Sequence, residues 1–377
     1  MSTYVVAGAS GASACLDGSS GAVLGTTTYQ IIAADPNGKY ALAWSTTDYY
    51  LRLLSLPTLA VLATGTVASS DGWQGVFTPN GEYVVAHDQY NNTVYCFDTA
   101  TFTQQGSSSG VSAPTGGTLG QGMAPDGSMI LVESASASLT ALPIPSLGVT
   151  ISVTGTVALG IAPIGFITAT SGVLKGAQPF SISGNTVALS SDYFGTANSM
   201  HVGYTAIWAD ATTGRAYGDG FGTSSSRAGT VYYLGYVYGP YPPTSAGEIP
   251  SAILTFNNST TTEDNIASVV DSVNHGIVTT DQTKGIVARF NAATATVTQV
   301  TLANSNIIAI DPTCTTIYVG NGTALYSGPA SLSSTPTSLA TLSFSPLALF
   351  VTAVPVSTFV ASPVAVYSQA VNRASRY

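Results

Sequence analysis

Apolar residues come in short runs, separated by clusters of Gly, Pro, Asn, Asp and Ser, and helical periodicity is hard to find along the chain. Val, Ile, Thr and Tyr fill the runs. β-Branched and aromatic side chains suit a pleated, half-buried surface, so the pattern predicts an all-β protein.

The runs repeat. DPNGKYALAW spans 35–44, TPNGEYVVAH spans 78–87 and APDGSMILVE spans 124–133. Pro36 and Pro79 lie 43 residues apart, and Pro79 and Pro125 lie 46 apart. In each copy Pro presets φ and Gly accepts a positive φ, which makes a tight turn before an apolar return strand. After 78–87 follow a turn, the strand TVYCFD, a second turn at DTAT and an outer strand; 48–65 has the same layout. Four short strands in about 43 residues is the size of a propeller blade. Weaker copies lie at 181–194, 208–221, 272–300 and 307–328. Blades opening near 36, 79, 125, 180, 215, 273 and 312 predict a β-propeller of seven four-stranded blades, with six or eight left open. TYVVAG (3–8) is expected to pair with the last blade, so that strands from both chain ends close the ring and remove its sheet edges. Residues 1–377 then form a single domain, with a divergent Tyr- and Gly-rich insertion at about 222–250 read as a long hairpin plus a projecting loop.

The stretch 78–102, TPNGEYVVAHDQYNNTVYCFDTATF, resembles the YVTN-type and WD-repeat-like β-propellers, with weaker matches at 35–58, 124–133, 272–300 and 307–326. The resemblance implies an architecture and no single activity. Such propellers include surface proteins, adhesion and scaffold modules, lactonases and redox enzymes. The WD dipeptide and its structural His are not evident here.

Composition narrows the classes. Charged residues make up 7% of the chain, with nine Lys+Arg against 18 Asp+Glu, a net charge of −9 and a pI near 4.5. A phosphate-tracking surface needs clustered basic residues, so no nucleic-acid partner is expected. The uncharged stretch from Thr313 to Asn372 is broken by Pro346, Pro355 and Pro363, which reads as buried strands and not as a membrane span. The start lacks Lys and Arg and any continuous apolar run, so no signal peptide is expected. Cys15, Cys96 and Cys314 are far apart without a CxxC spacing. They read as small buried hydrophobes, with a pairing left open.

Catalytic chemistry is scarce. The histidines are His87, His201 and His275, none in a zincin-type spacing. A propeller axis can gather ligands from several blades, and His87-Asp88, Asp192, His201 and His275-Asp281 are the conceivable contributors. Each histidine sits beside a turn or strand end, which reads better as a hydrogen-bonded structural residue. No nucleophile elbow or phosphate-cradling loop is present. The expectation is therefore no catalytic residue, no metal and no cofactor. Asn91, Asn258 and Asn321 fit the N-glycosylation pattern, which is common by chance in a Ser/Thr/Asn-rich chain.

Tyrosine is the stronger signal: 20 Tyr against 12 Phe. Tyr232, Tyr233, Tyr236, Tyr238 and Tyr241 cluster in the divergent segment. Tyr gives large contact area at low entropic cost, so these five are the candidate binding residues. An uncharged Ser/Thr/Gly-rich surface suits dense packing between subunits, because few charges must be desolvated. The reading is a non-enzymatic structural, decorating or adhesion propeller on the exterior of a particle, most simply a virus or phage virion protein. Its expected location is a virion or extracellular surface. Its expected partners are other structural proteins of the particle, and a host-surface receptor or glycan. The alternatives are a lactonase, glycosidase or redox enzyme with an axial site, and a lectin-like glycan binder.

Overall fold

The computed structural model describes residues 2–45, 47–69, 72–111, 119–133, 139–148, 151–155, 164–174, 178–190, 207–210, 215–220, 230–233, 252–255, 266–271, 273–274, 276–282, 285–291, 294 and 296–354, those of 207–255 by backbone alone. They form a β-propeller. Eight sheets follow one another among the described residues: six of four strands, one of five and one of two. The second sheet shows the plan, with strands Gln30–Ala34, Tyr40–Trp44, Tyr50–Ser55 and Val61–Ala68 in antiparallel order from the inside out. The third repeats it with Trp73–Phe77, Tyr83–Asp88, Thr93–Asp98 and Gln104–Ser109. Innermost strands of successive sheets lie side by side around the ring.

Burial explains the residue choice. The second strand of the third sheet is buried on both faces from Val84 to Asp88, because neighbouring sheets cover both sides. Its outer strand, QQGSSS, is exposed or half-buried throughout and is polar. The core is accordingly a series of layers between sheets. Ile32, Leu42, Leu51 and Leu53 of the second sheet pack on Trp73, Phe77, Val84 and Phe97 of the third.

The Pro-Asn-Gly turns join first to second strands. Gly38, Gly81 and Gly127 have φ near +70° and donate their amides to Asp35, Thr78 and Ala124. Cys314 takes the same place in the eighth sheet, with φ +55° and its amide on Asp311. Asp35 and Asp311 cap their turns by accepting backbone amides from Asn37 and Lys39, and from Thr315 and Thr316.

The fifth sheet departs from the expected register. The turn at Gly184-Asn185 joins its third strand, Gln178–Ser183, to its fourth, Thr186–Leu189. The inner strand is Gly165–Thr168, and its turn to Ser171–Leu174 is held by hydroxyls: Thr168 Oγ1 lies 2.7 Å from Ser171 Oγ and accepts the Thr170 amide. Threonine and serine stand there in place of Pro and Gly, so this turn escapes the sequence motif.

The ring closes as expected. Thr3–Ala9 pairs antiparallel with Ala348–Ala353, and with Ala12–Asp17 and Val23–Thr27 this makes a sheet of its own. The seven opening turns do not count this sheet, because its first two strands come from opposite chain ends. Tyr318 of the eighth sheet adds a buried tie, with its hydroxyl 3.0 Å from Thr3 Oγ1 and donating to the Gly18 carbonyl.

A second repeat ties the outer rim. Turns between third and outer strands end on an apolar residue in the left-handed region: Leu59, Phe102, Leu147 and Leu332, with φ of 50° to 58°. Each is buried. Left-handed backbone costs such a residue about 1–2 kcal/mol, and burying the side chain returns about 1.5–3 kcal/mol. The preceding sheet's outer strand meets the turns before Leu59 and Leu147 closely. A Cβ on Gly25 would lie 2.5 Å from the Pro57 carbonyl oxygen, and one on Gly106 would overlap that of Ser146.

Gly106→Ala should therefore lower stability by about 1–3 kcal/mol through overpacking. Gly148→Ala, whose added carbon meets nothing nearer than 3.5 Å, should be close to neutral. Chemical denaturation of both variants checks the pair.

Candidate functional site

The structure divides the five candidate tyrosines. Tyr232 and Tyr233 lie on Thr230–Tyr233, the third strand of the sixth sheet, where Tyr232 is in register with Gly218 and Tyr233 with Tyr217. Tyr236, Tyr238 and Tyr241 fall outside the described residues. Part of the segment read as an insertion is thus a strand of the ring, paired on one side with Arg215–Gly220 and on the other with Ala252–Thr255.

Of the conceivable ligands, His201, His275 and Asp192 lie outside the described residues. His87 is fully buried on the second strand of the third sheet. Its Nε2 lies 3.0 Å from the Val111 carbonyl, while Nδ1 has no hydrogen-bond partner. Burial pushes its pKa down, against the opposing pull of the Val111 carbonyl and Asp88. Asp88 is also buried, and its carboxylate closes the turn that follows. It accepts the Ser69 hydroxyl, the Tyr90 and Asn91 amides and the Asn91 side-chain amide at 2.7 Å. Asp281 is buried at the end of Gly276–Asp281 in the seventh sheet.

Further aspartates behave like Asp88. Asp17 accepts both hydroxyls and both amides of Ser19 and Ser20, and the Ser19 hydroxyl leads in lowering its pKa to about 2. Asp98 holds the amide and hydroxyl of Thr101. Asp126 holds those of Ser128. Asp48 binds Arg52, whose guanidinium lies 4.4 Å from the Tyr29 ring centre. Asp271 pairs with Arg289 at 2.8 Å inside the seventh sheet. Carboxylates that accept several donors hold turn backbone and are not free for proton transfer. No group of three or more His, Cys, Asp or Glu side chains among the described residues is placed to hold a metal ion.

The cysteines, and the sequon asparagines Asn91 and Asn321, also make structural contacts, while Asn258 lies outside the described residues. Cys15, Cys96 and Cys314 are buried and in no disulfide, and burial raises the Cys15 and Cys96 thiols to about 12. At such a value the reactive thiolate is negligible near neutral pH. The Asn91 side-chain amide is bound to Asp88, and that of Asn321 donates to the Ala303 carbonyl at 2.8 Å. No helix among the described residues is long and apolar enough to cross a membrane.

Sequence reasoning missed the exposed apolar rim. Val23 and Leu24 on the outer strand of the first sheet, and Val61 and Leu62 on that of the second, are 54%, 39%, 47% and 53% exposed. Both pairs follow an alanine directly after a turn, in AVLGTT and AVLATGT. That match was the available signal.

No protein-family model matches the chain, and no curated protein matches it. Solved structures do. The apo form of AztD from Citrobacter koseri is 10% identical with a TM-score of 0.63, over 93% of this chain and 97% of that one. The C-terminal WD40 domain of Sif2 is 10% identical with a TM-score of 0.54, over 80% and 84%. A functionally unknown protein from Desulfotomaculum acetoxidans is 13% identical with a TM-score of 0.50, over 93% and 99%. At these identities the likeness is one of fold.

His87 gives a pH test. Its folded pKa is below its unfolded value of about 6.5, so the unfolded chain takes up a proton that the folded chain refuses. The stability associated with the neutral ring is present above about pH 6.5 and is lost as the pH falls toward the folded value. Thermal unfolding at about pH 8 and about pH 5.5 should show a smaller acid-induced drop in Tm for His87→Gln than for the native chain.

Proposed function

We propose that this propeller works by contact and not by catalysis, as a structural or decorating module on the exterior of a particle such as a virion. One observation carries the reading: the acids and histidine traced above are committed to holding turns and strands. Eight aspartates cap turns or pair internally, and His87 is closed into the third sheet. A contact protein needs area and shape from its exposed side chains, and this chain supplies them with little charge. Tyr236, Tyr238 and Tyr241 are the residues we assign to the partner contact. Tyr232 and Tyr233 stand at its base, on a strand that the sheet needs.

Because 230–233 is a sheet strand, deleting the segment would test folding; substitution is the better probe. Native material separated by size and identified by mass spectrometry should place the chain in a large particle with other structural proteins. The triple substitution Tyr236→Ser, Tyr238→Ser, Tyr241→Ser should leave the purified chain's Tm unchanged and reduce its recovery in particles. Recovery of the native chain free of any particle would overturn the reading.

A further inference from the structure

An asparagine or aspartate followed by glycine is prone to react with its own backbone, because glycine sets no side chain in the way. Five such pairs are described with their side chains: Asp17-Gly18, Asn37-Gly38, Asn80-Gly81, Asp126-Gly127 and Asn321-Gly322. Reaction needs a glycine nitrogen that is free to turn onto the preceding side-chain carbon, and room for a ring there. Four pairs lack both. The Gly38, Gly81 and Gly127 amides donate to the Asp35, Thr78 and Ala124 carbonyls and so close their turns, and the Gly18 amide donates to the Thr3 carbonyl at 2.9 Å. Gly18, Gly38 and Gly81 are buried and Gly127 is half-buried. A carbon added at Gly18 would overlap the Thr3 hydroxyl, one at Gly81 would lie 2.6 Å from Asp35 Oδ1, and one at Gly127 would lie 3.1 Å from Pro79 Cδ. Asn80 is held further, since its Oδ1 accepts the Thr78 hydroxyl at 2.7 Å and the Glu82 amide at 3.1 Å.

Asn321-Gly322 differs on each count. It stands at the hairpin between Thr316–Asn321 and Ala324–Pro329 of the eighth sheet, where Asn321 is in register with Ala324 and Gly322-Thr323 is a two-residue loop. Gly322 is exposed, with φ +56°, and a carbon added to it would meet nothing within 4 Å. Its amide lies outside the strand ladder and closes no turn of the kind that holds Gly38, Gly81 and Gly127. The Asn321 side chain is held by an exposed hydrogen bond, from Nδ2 to the Ala303 carbonyl at 2.8 Å, for which water competes. The hairpin's own position does not rest on that bond. The Asn306 and Leu342 amides donate to the Gly320 and Thr323 carbonyls on either side of it.

We propose that Asn321 is a site of self-modification, at which the folded chain converts its own asparagine to aspartate and isoaspartate with water as the only co-reactant. The Gly322 nitrogen, its proton passed to solvent, attacks Asn321 Cγ. The new C–N bond forms as the bond from Cγ to Nδ2 breaks, and Nδ2 takes up a proton and leaves as ammonia. Water then adds to one of the two carbonyls of the five-membered imide. Addition at Cγ breaks its bond to the Gly322 nitrogen and gives aspartate. Addition at the main-chain carbonyl carbon breaks the original peptide bond and gives isoaspartate, with the chain running through the side chain. Nothing is oxidised or reduced. Either product has a carboxylate for a carboxamide, and a carboxylate has no proton to donate to the Ala303 carbonyl. The tie to Ala303 is lost, and the chain gains one negative charge. The proposal does not depend on the particle reading.

Incubation of the purified full chain at neutral pH, followed by ion exchange and peptide mapping by mass spectrometry, tests it. A more acidic form should accumulate, with aspartate and isoaspartate at position 321, and faster as the pH is raised. Asn37 and Asn80 of the same molecules should convert about tenfold or more slowly, because their turn bonds must open first. In denaturant the three rates should converge, since the fold sets the difference. Asn321→Gln, whose longer side chain closes the ring poorly, should remove the acidic form. An Asn321 that stays intact in the native chain but converts in denaturant overturns the proposal. So does conversion of Asn37 or Asn80 that keeps pace with it in the folded state.

Discussion

At two junctions the ring depends on how closely an outer strand meets the next sheet's turn. Between the first and second sheets the meeting point is Gly25 against Pro57 and Thr58; between the third and fourth it is Gly106 against Ser146. Neither site has room for a side chain. On the turn's side, a leucine or phenylalanine is forced into left-handed backbone so that its side chain drops into the layer between sheets. The two devices act together, because the glycine lets the backbone approach and the inverted residue fills the space beneath it. Between these contacts and the inner strands, the apolar layers hold the sheets face to face.

The polar groups follow from the same constraint. Sheets buried on both faces leave their turns to satisfy many amides in little space, and aspartate, threonine and serine do this with short acceptors. Asp17, Asp88 and Asp311 each gather several donors. This explains how a chain with so few charges still uses nearly every described aspartate. It also explains why, among the described residues, no three or more acidic, His or Cys side chains gather where they could hold a metal ion.

Legibility in the sequence tracked the range of the interaction. The turns at 35–38, 78–81 and 124–127 were readable because Pro, Asn and Gly settle their geometry within four residues. The turn at 168–171 was not, since hydroxyls do the work there, and neither was Cys314 in a glycine's place. Of the opening turns read from the sequence, the one near 180 falls between the third and fourth strands of the fifth sheet, and the terminal sheet carries no such turn. The rim latch was hidden because Gly106 and Ser146 are partners forty residues apart. Outer-strand leucines show the limit most plainly: Leu62 and Leu339 both lie on outer strands, yet one is exposed and the other packs on the core. For the candidate site, the tyrosine cluster was visible as composition, but nothing in it separated Tyr232 and Tyr233, which build a strand, from the three that follow. His87 reads from the sequence as a strand residue, and its closed environment comes from Val111 across the sheet.

The pairing of Thr3–Ala9 with Ala348–Ala353 has a consequence for synthesis. The earlier strand of this pair must wait for a partner that lies far later in the sequence. At about 5–20 residues per second, a ribosome takes roughly 20–70 s to travel between them. Throughout that interval the apolar strand TYVVAGA has one edge without its partner, and its amides and carbonyls are open to any other nascent strand. The sheet that seals the finished ring is thus also the one whose first strand stays open at one edge during synthesis, where a chaperone or a neighbouring nascent chain can meet it.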